Sequence, residues 1–152
     1  MSASTTTLTM ASDEEIVIRR VFDAPRQLVF EAHTKPEQLT QWLLGPEGWT
    51  MPVCEIDLRP GGSWHFAWQQ ADGRKLEMSG VYREVVPNRK LVFSWAWQST
   101  PERESQVTID LNPVAEGTML TLTHEQFYDQ KACDDHRVGW ERALDNLEKA
   151  LA

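Results

Sequence analysis

The side chains that could do chemistry in this 152-residue chain are four histidines, two cysteines and an unusual number of aromatic rings, among them seven tryptophans. His124 follows Leu120 and Leu122 at alternate positions, so in a strand all three point to one face, and that face is apolar. An imidazole titrates near neutrality, which makes His124 the candidate for moving a proton in catalysis. Against that role, no carboxylate stands at a spacing that would place it beside His124, and Glu125 faces the opposite way. An inward histidine is more commonly a hydrogen-bonded core residue.

No other chemistry assembles from spacing. His65 lies between Trp64 and Phe66 and faces solvent, while His33 and His136 fall on helices without a patterned partner. No metal is expected, and no cofactor. Cys54 and Cys133 lack any metal or redox spacing and read as reduced thiols of a cytoplasmic protein. Gly61-Gly62 has no following Lys-Ser/Thr and is turn chemistry, not a phosphate cradle. No Ser/His/Asp set or other catalytic set can be identified.

The aromatic rows point instead to binding. Trp64, Phe66 and Trp68 share one face of a strand, as do Leu76, Met78, Gly80 and Tyr82 of the next, and Leu91, Phe93, Trp95 and Trp97 of a third. Such a face must be covered. The run from Lys131 to Ala152 has no proline and repeats apolar residues at helical spacing, including His136, Trp140, Ala143, Leu144 and Leu147. This helix is expected to cover the aromatic face incompletely and to leave an apolar pocket. Gly139 beside Trp140 costs about 1 kcal/mol in a helix interior, and a close approach to the sheet is the expected reason for it. The residues expected to line the pocket are Trp42, Trp64, Phe66, Trp68, Met78, Tyr82, Phe93, Trp95, Trp97, Leu122, His124, His136 and Trp140.

Stepping along the chain, residues 1–14 lack a basic start and an apolar run and read as a disordered Ser/Thr-rich tail ahead of one domain, 15–152. Glu15 to Phe22 reads as a strand. Asp23-Ala24-Pro25 then opens a helix with Asp as its cap, and Thr34-Lys35-Pro36-Glu37 fits a capping box opening a second helix, which Gly45-Pro46 ends. Cys54, Ile56 and Leu58 begin six strands in meander, broken at Pro60-Gly61-Gly62, Asp72-Gly73, Pro87-Asn88, the segment 98–105 and Glu116-Gly117. Trp49, in the loop 45–50, is placed either over the pocket mouth or at an interaction surface.

The composition excludes some partners. A formal charge of −8 from 23 acidic and 15 basic residues repels phosphate backbones and anionic membrane surfaces, so neither nucleic acid nor membrane is expected. A 41% hydrophobic content is ordinary for a globular domain.

Several phrases carry a family likeness: RRVFDAPRQLVFEAHTKPEQLTQWL (19–43), DLRPGGSWHF (57–66), GVYREVVPNRKLVFSW (80–95), GTMLTLTHEQF (117–127) and VGWERALDNLEKAL (138–151). With the element order, they resemble the START-like, polyketide-cyclase-like superfamily, and within it the family named for homologues of the activator of the heat-shock chaperone ATPase. The resemblance implies an α+β helix-grip fold, with a curved antiparallel sheet of about seven strands, two short helices and a long C-terminal helix across it. It also implies a cavity that in relatives receives hydrophobic molecules, without shared catalytic residues. The eukaryotic namesake has a separate chaperone-binding domain ahead of this one, and none is expected before Glu15. The expected function is binding of a small hydrophobic or aromatic molecule by a monomer or homodimer. The alternatives are a cyclase, dehydratase or hydrolase using His124 in the same cavity, and a module that regulates a chaperone or binds another protein.

Overall fold

The computed structural model describes residues 7–11, 15–43, 48–127 and 129–151, the first of these segments by its backbone alone. Eight strands form one antiparallel sheet: β1 (Thr7–Ala11), β2 (Glu15–Phe22), β3 (Trp49–Ile56), β4 (Ser63–Gln70), β5 (Lys75–Val86), β6 (Lys90–Trp97), β7 (Ser105–Val114) and β8 (Gly117–Glu125). Their spatial order is β1-β2-β8-β7-β6-β5-β4-β3, so every consecutive pair from β3 to β8 is a neighbour. Helices α1 (Arg26–Thr34) and α2 (Pro36–Trp42) link β2 to β3, and α3 (Gln130–Leu151) follows the last strand. This is the helix-grip arrangement. No described helix is long and apolar enough to cross a membrane.

Alternation in sequence becomes alternation in burial. Ile16, Ile18, Arg20 and Phe22 of β2 point inward, with Val107, Ile109 and Leu111 of β7 and Leu120, Leu122 and His124 of β8. Helix α3 meets this face with Cys133, Trp140, Ala143, Leu144 and Leu147, which recur every three or four residues or one heptad on. Arg20 is the one cation on that inner row, and its buried guanidinium lies 2.9 Å from Asp145 and 3.7 Å from Glu148 of α3. The pair ties the helix to the strand across the core edge.

Five local expectations are corrected. Thr7–Ala11 is not a disordered tail but a strand, paired with β2 from Thr7 opposite Arg20 to Ala11 opposite Ile16. Its threonines favour extended backbone, and without it the outer edge of β2 would be unpaired. Pro25, not Asp23, stands at the N-cap of α1, and no side chain caps it. Thr34 closes α1 instead of capping α2: its hydroxyl donates to the Phe30 carbonyl, and Lys35 precedes Pro36 at the start of α2. Trp49 belongs to β3, opposite Gln70, with the Arg74 guanidinium over its ring. Gly139 makes no close approach, since a Cβ built there meets nothing within 4 Å. The expected stop at Gly45-Pro46 lies outside the described residues.

The close approach is at Gly80. Between the paired positions Ser79↔Ala96 and Tyr82↔Phe93, the β5–β6 ladder opens. Ser94 fills the gap: its hydroxyl accepts from the Val81 N–H at 2.8 Å, and its carbonyl accepts from the Trp64 indole at 3.2 Å. A Cβ on Gly80 would collide with that carbonyl and lie 2.6 Å from Trp64 Nε1. Gly80→Ala is expected to cost at least about 2–3 kcal/mol in urea unfolding, whereas the exposed neighbour change Ser79→Ala stays within about 0.5 kcal/mol. Equal midpoints for the two variants would show that the Trp64 seat is not constrained in this way.

Candidate functional site

The thirteen residues singled out in sequence separate into three groups and one residue apart. Met78 and Leu122 are wholly buried core. Trp42, Trp64, Phe66, Tyr82 and Phe93 surround a small inner space of about 20 Å³. Trp68, Trp95, Trp97, His136 and Trp140 wall a larger cleft of about 280 Å³ between β4–β6 and α3. His124 stands behind them, completely buried.

The indoles are fixed by hydrogen bonds, and most of these do not need solvent. Trp42 donates to the Ala32 carbonyl at 2.8 Å, Trp64 to that of Ser94, and Trp68 to that of Leu43 at 2.9 Å. Trp140 donates to Nδ1 of His124 at 2.9 Å, and Trp97 to Nε2 of His136 at 3.0 Å. Trp95 differs: its indole nitrogen is buried and has no partner among the described residues.

An indole can only donate, so each of these bonds sets a histidine tautomer. His124 accepts at Nδ1 and therefore carries its proton on Nε2, which is 2.7 Å from Ser105 Oγ. Ser105 in turn donates to the Trp95 carbonyl at 3.2 Å. The chain of donors runs one way, from α3 through β8 and β7 to β6. His136 is the opposite tautomer, accepting from Trp97 and donating from Nδ1 to the Ala132 carbonyl at 2.7 Å.

Protonating either ring would set two N–H groups against each other. Burial holds His124 well below the usual imidazole range, with the nearby His136 adding to the effect. Burial also lowers His136, although its bond to Ala132 and the charge of Asp135 oppose the shift. Both nitrogens of His124 are thus committed to hydrogen bonds within the protein. On the outer face, His65 lies within 3.2 Å of Glu55 and 3.1 Å of Glu77.

The cleft opens at one side through Leu76 and Val138, which are 39% and 53% exposed. Leu43, Gly139 and Ala143 complete its apolar lining, and Asp135 and Arg142 stand among the residues around it. These seven were not expected. Leu43 and Ala143 carry apolar signals indistinguishable from core, while Gly139 was the legible one: its missing side chain is what keeps that wall of the cleft back. A further cavity of about 310 Å³ lies beyond Trp97 and His136, bordered also by Thr100, Arg103, Ser105 and Phe127. The Trp97–His136 pair forms part of both linings.

Residues 23–152 match the family model described as activator of Hsp90 ATPase homolog 1-like protein. Among solved structures, a protein from Rhodobacter sphaeroides superposes with a TM-score of 0.84 at 26% identity, covering 96% of this chain and 97% of that one. CalU16 from Micromonospora echinospora gives 0.74 at 28%, covering 97% and 87%. The AHSA1 protein of Silicibacter pomeroyi gives 0.77 at 27%, covering 90% and 96%. No curated protein matches the chain.

The neutral histidines carry a consequence for stability. His33, also buried, is lowered to about 4 by desolvation, so like His124 and His136 it stays neutral in the native state where the unfolded chain takes up a proton. The unfolded state then binds more protons, and stability falls as the pH drops below about 6.5. Each such histidine adds a slope of up to about 1.4 kcal/mol per pH unit. Urea unfolding at pH 7.5 and 5.5 is expected to show this loss, and nitrogen-15 spectra at pH 7.5 to show protonated Nε2 in His124 and protonated Nδ1 in His136. A midpoint near 6.5 for His124 in the native protein would contradict the assignment.

Proposed function

The chain belongs to the activator of Hsp90 ATPase homolog 1-like family, and we propose that it binds a small hydrophobic, aromatic molecule in the cleft between β4–β6 and α3. The fold of this family commonly holds hydrophobic ligands. The observation that carries the reading is the cleft of about 280 Å³ whose walls are the rings of Trp68, Trp95, Trp97 and Trp140. Trp68, Trp97 and Trp140 are tethered through their nitrogens and Trp95 is packed among other rings, so these walls lose little freedom when a guest packs on them and most of the contact free energy is retained.

Area sets the scale. A guest that buries about 200 Å² of apolar surface gains on the order of 5 kcal/mol before association costs. Affinity therefore depends on polar anchoring as well as fit. His124 supplies none, because both its nitrogens are bonded to protein.

Gly139 offers a direct test. A leucine there would project into open space, fill part of the cleft and improve helix propensity by up to about 1 kcal/mol. The wild-type protein is expected to bind 1-aminoanthracene, with quenching of tryptophan fluorescence. In Gly139→Leu the affinity should fall at least tenfold while the thermal midpoint stays level or rises. Equal binding by both proteins would place the probe elsewhere, and no binding by the wild type at its solubility limit would remove the support for an aromatic guest.

A further inference from the structure

Once hydrogen bonds are assigned among the described residues, two of the buried side-chain nitrogens left without a partner belong to residues that line the same space. One is Nε1 of Trp95, a donor. The other is Nε2 of His33. The Nδ1 atom of His33 lies 2.8 Å from the Val29 carbonyl, which can only accept, so Nδ1 carries the proton and Nε2 is a bare acceptor. Both residues line the inner space of about 20 Å³, roughly the room of a single oxygen atom. That space and the main cleft have Leu43, Trp95 and Trp140 in common.

We infer that the guest of the cleft is a neutral aromatic molecule carrying a hydroxyl group, whose oxygen occupies the inner space, accepts from Trp95 Nε1 and donates to His33 Nε2. This deepens the proposed function and rests on it. The reasoning is one of matching. A hydroxyl donates and accepts at one atom. A carboxylate, ether or ketone only accepts and would leave His33 without a donor; an ammonium only donates and would leave Trp95 without an acceptor. A carboxylate would also carry a charge into a buried space lined mainly by apolar and aromatic side chains. Burial keeps His33 unprotonated at neutral pH, so it does not become a second donor that would favour an anion. A primary amide needs two atoms to do what the hydroxyl does with one, and the space is small. Water offers the same combination of donor and acceptor at one atom, and a ligand hydroxyl can take its place without losing a hydrogen bond.

The test compares 4-propylphenol, propylbenzene and 4-propylbenzoate by calorimetry and ligand-observed NMR on the full chain. The phenol is expected to bind about tenfold more tightly than the hydrocarbon, the benzoate to be the weakest, and the Trp95 indole proton to shift downfield with the phenol alone. In His33→Phe, which keeps a ring against Trp42, phenol and hydrocarbon should bind within about twofold of each other. The Trp95 proton shift is read in the wild-type protein and so does not depend on that variant folding. Equal affinity of the three compounds for the wild type would overturn the hydroxyl assignment while leaving the cleft as a binding site. Tightest binding by the benzoate would overturn it in favour of an anionic guest. Binding of none of them at millimolar concentration would overturn the binding reading itself, and the assignment with it.

Discussion

The requirement that a buried N–H find an acceptor governs how the long helix sits on the sheet. Five aromatic or imidazole side chains meet at that junction, and they are polar at their edges. Trp140 reaches His124, His124 reaches Ser105, and Ser105 reaches the Trp95 carbonyl. Rotating α3 by one residue would break the first of these bonds and leave a bare imidazole nitrogen in the core, at a cost of roughly 1–3 kcal/mol. Apolar packing of Leu144 and Leu147 holds the helix down, but packing alone tolerates sliding. The directional chain, together with the Arg20–Asp145 contact, fixes its rotation.

With rotation fixed, the position of the cleft follows. Gly139 and Ala143 are turned toward Trp68, Trp95 and Trp97, where they offer little to fill the space. Collapse is the usual fate of such a gap, because side chains relax into it. Here the walls resist: Trp68 is held by the Leu43 carbonyl and Trp97 by His136, while Trp95 sits among Trp64, Trp97 and Trp140 at ring separations of 5.2 to 5.9 Å. A cavity lined by tethered rings is preorganised for a flat guest in a way that one lined by leucines is not.

Period-two alternation made the strands from Cys54 to Glu125 legible, and period-3.6 spacing did the same for the long helix. The aromatic face was also legible, since Trp64, Phe66, Trp95 and Trp97 needed only a correct strand assignment to share a side. What escaped was the division of that face. Trp64 and Trp68 are two residues apart on β4 and look alike in sequence, yet Trp64 is core and Trp68 is cleft wall. The difference lies in what stands opposite, Ser94 and Gly80 in one case and Leu43 with the helix glycine in the other. The role of His124 was hidden for the same reason: its partners Ser105 and Trp140 come from 19 residues before and 16 after. Local capping rules failed at Thr34 because its hydroxyl had a helical carbonyl within reach, four residues back, and used it.

The polar inventory also bears on whether such a site should react or bind. A catalyst needs a group whose protonation can change in the working range and which faces the substrate. His136 faces the cleft but is clamped as an acceptor by Trp97, and His124, clamped at both nitrogens, is behind the wall. Among the described residues that line the inner space, Trp95 Nε1 and His33 Nε2 are buried nitrogens without a partner, and neither changes protonation near neutrality: an indole does not, and burial denies it to His33. Such a pair is suited to orienting a guest. Structures with TM-scores of 0.84 and 0.77 at 26% and 27% identity show how far side chains can change while this framework persists. The framework therefore says where a guest would sit, and the side chains left unpaired within it say what kind of guest this chain is built to hold.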